Sequence, residues 1–195
     1  MIDTEKHIRN KFMVSPESQP PHSGRVFSTR EDLYDLFEEL GFSYGAEIGV
    51  NRASNALQMF KRISDLKLIC VDPWRRNERA FAKAKRRLDW YSVIWKRMTS
   101  MEGVKDVKNE SLDFVYIDGL HDFDNVVMDL IHWVPKVRTG GIVSGHDYYN
   151  SEECHVPRAV DAYILAHGIS NLHLTRDNLV LTEFPYSPSF FWVKE

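Results

Sequence analysis

The stretch YGAEIGVNRASNALQMF, residues 44–60, decides how this chain is read. Its first half is a short apolar run, Ala46 to Val50, with one acid, Glu47, in the middle. The chain then turns through Asn51 and Arg52 and takes on a helical pattern from Ala53. A strand that enters a helix through a small-residue turn leaves an adenosine-sized crevice at the strand's carboxyl end. Gly49 lets a ligand approach the backbone there, and Glu47 offers a carboxylate to ribose hydroxyls or to a cationic amino group. Ordinary strand–helix turns use glycine too, so the weight has to come from the rest of the chain.

The chain has 195 residues, enough for one domain with a substantial core. Hydrophobic residues make up 43% and charged residues 27%, the balance of a globular protein that folds in water. A formal net charge of −3 exerts no overall pull towards nucleic acid. No apolar run is long enough to span a bilayer, and the opening residues MIDTEKHIRNKF lack the apolar core of a signal peptide. The expected compartment is the cytoplasm. The two cysteines, Cys70 and Cys154, lie far apart in sequence; Cys70 sits in the apolar run LKLICVD and reads as a small core residue rather than half a disulfide.

Residues 1–28 carry Pro16, Pro20, Pro21 and Gly24 with little apolar periodicity, so they read as an N-terminal arm with at most a short helix near Thr4–Phe12. A mobile terminus is the plain expectation, an active-site flap or dimer contact the sharper one. The remaining residues, 29–195, form the domain. Ser28 with Glu31 three positions on is a capping-box pattern, and Leu33, Leu36, Phe37 and Leu40 then share a face up to Gly41. Strands are expected at Tyr44–Val50, Leu66–Val71, Tyr91–Lys96, Leu112–Ile117 and Ile142–Ser144. Between them fall helices at Ala53–Ile63, Asn77–Trp90, Met101–Val107 and Phe123–Trp133. A further helix, Val156–His167, precedes strands at Leu172–Thr175 and Leu179–Thr182, which suit a hairpin, and Ser189–Val193 suits a last strand. This alternation predicts an α/β fold: a Rossmann-like, doubly wound, mainly parallel sheet with helices on both faces and an antiparallel strand near the C-terminus. Polar residues gather where the strands end: Glu47 and Gly49, Asp72, Thr99 and Ser100, Asp118 and His121, His146 and Asp147. Ligands of such sheets sit outside those carboxyl ends.

The segments AEIGVNRAS (46–54), ICVDPW (69–74), DFVYIDGLHDFDNVVMDL (113–130) and WVPKVRTGGIVSGHDY (133–148) resemble class I S-adenosylmethionine-dependent methyltransferases. They are most similar to the small-molecule O-methyltransferase group of macrocin and catechol type. The most specific features are a strand ending Ile-Asp-Gly-x-His, an acidic helix, and a Gly-Gly turn into a strand ending His-Asp. The resemblance covers roughly residues 30–182. It implies that Glu47 and Gly49 line the methionine part of the cofactor and that Asp72 accepts from the ribose hydroxyls. Pro73 and Trp74 would flank the adenine, with Thr99 and Ser100 at its edge and Asp118 near the sulfonium or the reacting oxygen. Ala53 stands in the same cofactor loop, at a place where the family often carries glycine.

Methyl transfer from a sulfonium is an in-line displacement, so positioning does most of the work. An alcohol or phenol acceptor must also lose its proton. His121 is the first candidate for that base and His146 the second, because imidazole titrates near neutrality. Metal-dependent relatives place carboxylates after the fourth and fifth strands. Asp118 and Asp147 take those places as ligands for magnesium, with Asp122, His146 or Asn150 open as a third; Tyr148 stands where the metal enzymes usually have Asp or Asn.

The expected function is therefore S-adenosylmethionine-dependent methylation of an oxygen on a small-molecule or sugar-containing acceptor. The partners would be that acceptor and a second copy of the chain, with neither nucleic acid nor membrane. Two alternatives stay open: a catalytically silent cofactor-binding module, and a nucleic-acid methyltransferase using the basic run Arg75–Arg87, which otherwise reads as a solvated helix face. Asp122 and Asp124 read as helix N-terminal acids. The aromatic residues Phe184, Tyr186, Phe190, Phe191 and Trp192 read as edge-strand packing or a dimer seam.

Overall fold

β1 (Tyr44–Ile48) lies at the centre of the sheet, parallel to β2 (Lys67–Val71) on one side and to β4 (Leu112–Ile117) on the other. The computed structural model describes residues 3–14, 29–75, 77–149, 151–175 and 187–195. β3 (Ser92–Lys96) extends the sheet beyond β2 and β5 (Val137–Gly145) extends it beyond β4, both parallel. Two short strands, β6 (His173–Leu174) and β7 (Phe190–Val193), complete seven, in the order β3-β2-β1-β4-β5-β7-β6. β7 runs antiparallel to both of its neighbours. The order reverses between β1 and β4, and a crevice opens at such a switch point.

The two-residue period of the strands sorts the core into two layers. Leu68, Cys70, Phe114, Tyr116 and Phe191 face α1 (Thr4–Lys11), α2 (Arg30–Glu39), α3 (Ser54–Arg62) and α4 (Glu78–Arg87). Ile48, Ile69, Val71, Val115, Ile117, Phe190 and Trp192 face α5 (Ser100–Gly103), α6 (Phe123–Trp133) and α7 (Val156–His167). Cys70 and Cys154 are both free and buried, as a core reading requires.

Several local expectations shift. The capping pair of α2 sits one residue later than Ser28 and Glu31: Thr29 is the N-cap and Asp32 accepts its N–H at 2.9 Å. The short fifth helix begins at Ser100 and is only one turn long. β5 starts at Val137, five residues before the expected Ile142, because the Gly140–Gly141 pair lets the backbone continue through an irregularity opposite Leu112 and Phe114. β6 pairs with β7; Leu179–Thr182, expected as its hairpin partner, lie outside the described residues, as do Ser28, Arg76, Asn150, Phe184 and Tyr186. Phe190, Phe191 and Trp192 belong to no edge: β7 is flanked on both sides, and all three rings are buried.

Residues 4–12 are not a loose end. Asp3 caps α1 through the Lys6 N–H, and Ile8 and Phe12 are buried in the first core layer. Thr4 Oγ1 donates to the Gly140 carbonyl at 2.7 Å, and Glu5 holds the buried His173 ring at 3.1 Å.

Candidate active site

Four strand ends and one helix make the site. After β1 the backbone at Gly49 takes φ +89°, and a Cβ there would lie 1.9 Å from the Asp118 carbonyl oxygen. Only glycine lets β1 and the end of β4 close this tightly. After β2, Asp72 turns back on its own loop: Oδ2 accepts the Asn51 N–H at 2.8 Å and Oδ1 the Trp74 N–H at 2.7 Å. After β3, Thr99 caps α5 through Glu102. After β4, Asp118, Gly119, Leu120 and His121 lead into α6, whose N-cap is Asp122. Asp122 therefore serves the helix end, as its position suggests.

These elements enclose a cleft of about 700 Å³, a size that takes a drug-sized ligand. Ile48, Val71, Pro73, Met101 and Met128 give it apolar walls; Asp72, Asp118, His121 and Asp129 supply the polar groups. Of the residues expected to meet a cofactor, Gly49, Asp72, Pro73, Thr99, Ser100 and Asp118 line this cleft. Glu47, Ala53 and Trp74 do not. Glu47 falls on the strand face opposite Ile48 and is fully buried towards α3, where Asn55 Nδ2 donates to Oε1 at 2.9 Å. Burial pushes its carboxyl up to about 8, and Oε2 has no hydrogen-bond partner among the described residues. Ala53 is buried at the N-cap of α3 in a left-handed conformation, φ 56°. Trp74 offers no face to a ligand: its indole is buried against Phe81 and Trp95, and its Nε1 donates to the Asn51 carbonyl at 2.7 Å.

The reactive candidates gather at the β4 and β5 ends. His121 Nε2 lies 3.1 Å from Asp147 Oδ2 and 3.8 Å from Asp118 Oδ1. Asp118 and Asp147 raise its pKa above the ordinary histidine value, against the opposing effect of partial burial. Asp147 Oδ1 receives His146 Nδ1 at 3.0 Å and the Ser187 hydroxyl. Burial works to raise its pKa, but His146, Ser187 and His121 outweigh it and hold the carboxyl at about 2. Asp147 keeps this position in a left-handed backbone conformation, φ 60°, a strained geometry of the kind that collects at functional sites. His146 is turned away from the cleft onto Asp147, so it orients that carboxylate; it does not share the cavity wall with His121.

Among the described residues, one atom each from Asp118, His121 and Asp147 lie within 4.8 Å of one another, which adds His121 to the third partners considered for the two acids. The sequence reading also missed Asp129, in the second turn of α6. It lines the cleft, is almost fully buried, and accepts from the Ser100 hydroxyl, which itself accepts from Trp133 Nε1. Its signal was present: an acid three residues after Val126 and four before Trp133 occupies the apolar face of the helix.

A doubly wound sheet with a reversed strand inserted beside β5, and an acid-lined cleft at its switch point, is the architecture of the class I methyltransferases. The model of the family described as Methyltransferase domain matches residues 42–148, more than half of the chain, and the chain belongs to that family. Among solved structures it is similar to the O-methyltransferase from Bacillus cereus in complex with SAH, with a TM-score of 0.66 and 14% identity over the whole of this chain and 92% of that one. It is also similar to the O-methyltransferase TomG from Streptomyces achromogenes, solved with SAM: TM-score 0.64, 13% identity, 100% and 91% covered. The N-methyltransferase NodS from Bradyrhizobium japonicum gives a TM-score of 0.56 at 14% identity, with 85% of this chain and 94% of that one covered. At such identities the likeness is one of fold. Over 51 residues, 26% of the chain, it is 33% identical to the uncharacterized protein y4gI of Sinorhizobium fredii, and the chain spans 6% of that protein's length. No helix among the described residues is long and apolar enough to cross a membrane.

Proposed function

We propose that this chain transfers a methyl group from S-adenosylmethionine to an oxygen of a small-molecule acceptor, with His121 as the general base. The observation that carries this reading is the Asp118–His121–Asp147 cluster at the β4 and β5 ends of the cleft of a methyltransferase-family chain. The cleft fits the cofactor in size, and its apolar walls with acceptors at Asp72 and Asp129 match a nucleoside carrying hydroxyl and amino donors. When bound, the cofactor supplies an electrophilic methyl group. The chain's own residues orient the acceptor and remove its proton. Asp147 Oδ2 fixes His121 Nε2 as the nitrogen bearing hydrogen, which leaves Nδ1 to take the acceptor's proton.

Binding of S-adenosylhomocysteine, measured by titration calorimetry, tests the cofactor part; no heat and no competition would sink it. His121→Ala should then lower turnover about 10²–10⁴-fold while leaving that affinity within a few-fold. Equal loss of both would move His121 into the cofactor shell.

A second reading has its own observation. Two carboxylates and an imidazole are a donor set for a divalent cation, and Asp118 and Asp147 would hold it together with His121. Magnesium prefers oxygen ligands, whereas imidazole suits manganese or zinc. A histidine bound to a cation is no longer a base, so the two readings are exclusive: activity that survives exhaustive chelation supports the base, and activity restored by one added cation supports the metal.

A further inference from the structure

One acid of the cleft lies on a helix rather than at a strand end. Asp129 sits on α6, where its carboxyl meets the turn after β3 through Ser100 and the turn after β4 at Gly119. Its carboxyl is oriented by a chain of donors: Trp133 Nε1 donates to Ser100 Oγ at 2.8 Å, and the Ser100 hydroxyl in turn donates to Asp129 Oδ1. With its acceptor side taken by the indole, Ser100 is committed to donate. Oδ2 receives no hydrogen bond from the described residues. Gly119 packs beside it: a Cβ there would stand in contact with Oδ2, at 3.4 Å.

Burial raises this carboxyl to about 6, against the Ser100 hydrogen bond and the charge of His132, with Asp122 adding to the rise. A buried acid that costs stability without an ion-pair partner is a candidate for ligand recognition. The cleft that it lines has apolar wall residues at Val71, Pro73, Met101 and Met128, with Thr99, Ser100 and Asn125 as the uncharged polar side chains beside the turn and on α6. A nucleoside cofactor has donors at three places: the amino-acid ammonium, the ribose hydroxyls and the adenine amino group. Asp72 lies at the end of β2, where ribose is expected, and the ammonium belongs near β1 and β4. The turn at Ser100 is the remaining edge.

We infer that Asp129 is the residue that selects adenine, its Oδ2 accepting a hydrogen bond from the 6-amino group. This rests on the cofactor reading above and adds to it a base-specificity determinant. An acceptor-only oxygen held in an apolar wall rejects a base that presents a carbonyl at the same position, because two acceptors then face each other without water.

The experiment compares S-adenosylhomocysteine with its 6-oxo analogue, S-inosylhomocysteine, by calorimetry at pH 8. The wild-type chain should prefer the amino form at least about tenfold. Asp129→Asn keeps an acceptor for Ser100 and turns an N–H₂ donor towards the base, so the preference should vanish or reverse. Ser100→Ala, which removes the orienting donor and leaves Asp129 in place, should reduce the ratio. In turnover the Asp129→Asn change should raise KM for S-adenosylmethionine and leave kcat within about twofold. If S-adenosylhomocysteine binds but both variants keep the wild-type ratio, the assignment is overturned while the cofactor reading stands. If the wild-type chain binds neither ligand, both fall. Should Asp129→Asn not fold, the wild-type and Ser100→Ala ratios decide.

Discussion

On the β1–β3 side of the cleft the geometry is set by the backbone; on the β4–β5 side it is set by ionisable side chains holding one another. Gly49 fits because its backbone leaves no room for a Cβ, and Asp72 is pinned by two main-chain N–H groups. Across the cleft, His146, Ser187 and His121 all contact the Asp147 carboxylate, and together form one polar chain. The first half is suited to holding a ligand of fixed shape. The second is suited to moving a proton, because its protonation states are coupled.

That contrast can be broken from either side. The largest effect should come from Gly49→Ala. Its methyl would overlap the Asp118 carbonyl at a φ hostile to any side chain, so stability should fall by about 3 kcal/mol or more. A thermal melt that moves by less than a few degrees would show that the β1–β4 closure yields.

Next comes Asp147→Asn. It removes the negative charge that helps keep His121 basic, so the acid limb of the pH–activity profile should shift to lower pH, with kcat lower by about tenfold to a hundredfold. An unshifted profile would detach Asp147 from the base.

Glu47 gives a purely thermodynamic effect, absent at low pH and spread over several pH units. Its folded pKa is about 8 against an ordinary 4.5, so the folded state holds a proton that the unfolded chain loses first. The stability it permits is full below pH 4.5 and declines as pH rises through about 8, by at most about 5 kcal/mol. Glu47→Gln should flatten that decline in chemical denaturation run at several pH values; an unchanged slope would mean the carboxyl is charged in the fold. The smallest effect is expected for Ala53→Gly. Relief of a left-handed alanine and loss of a buried methyl oppose each other, so stability should change by less than about 1 kcal/mol, with cofactor affinity unaltered.

The same contrast explains what could be read from the sequence. Strand and helix order followed from periodicity, and α6 and α7 have the bounds the pattern suggested. The strand-end residues Gly49, Asp72, Thr99, Ser100, Asp118 and His121 were legible because a parallel sheet delivers all its carboxyl ends to one side. Which way a residue at a strand end points is a matter of parity. Glu47 is one position from Ile48 and lies on the other face. Trp74 was misjudged because an aromatic after a strand serves equally as a ligand platform or a core plug; Phe81 and Trp95 settle it, and both come from later elements. Asp129 was hidden inside an apolar helix, where its partner Ser100 lies 29 residues earlier.

The insertion of β7 between β5 and β6 has a consequence for how the chain assembles. The five parallel strands use only residues 44–145, and β6 has no place beside them until β7 arrives. β7 also carries Ser187 and Pro188 in just ahead of it, and these hold the Asp147 carboxylate and the Tyr148 N–H. A chain whose sheet had closed over residues 44–145 alone would own a finished cleft floor with an unaligned acid above it. The setting of Asp147 thereby depends on a non-local pairing, the antiparallel contact of β7 with β5.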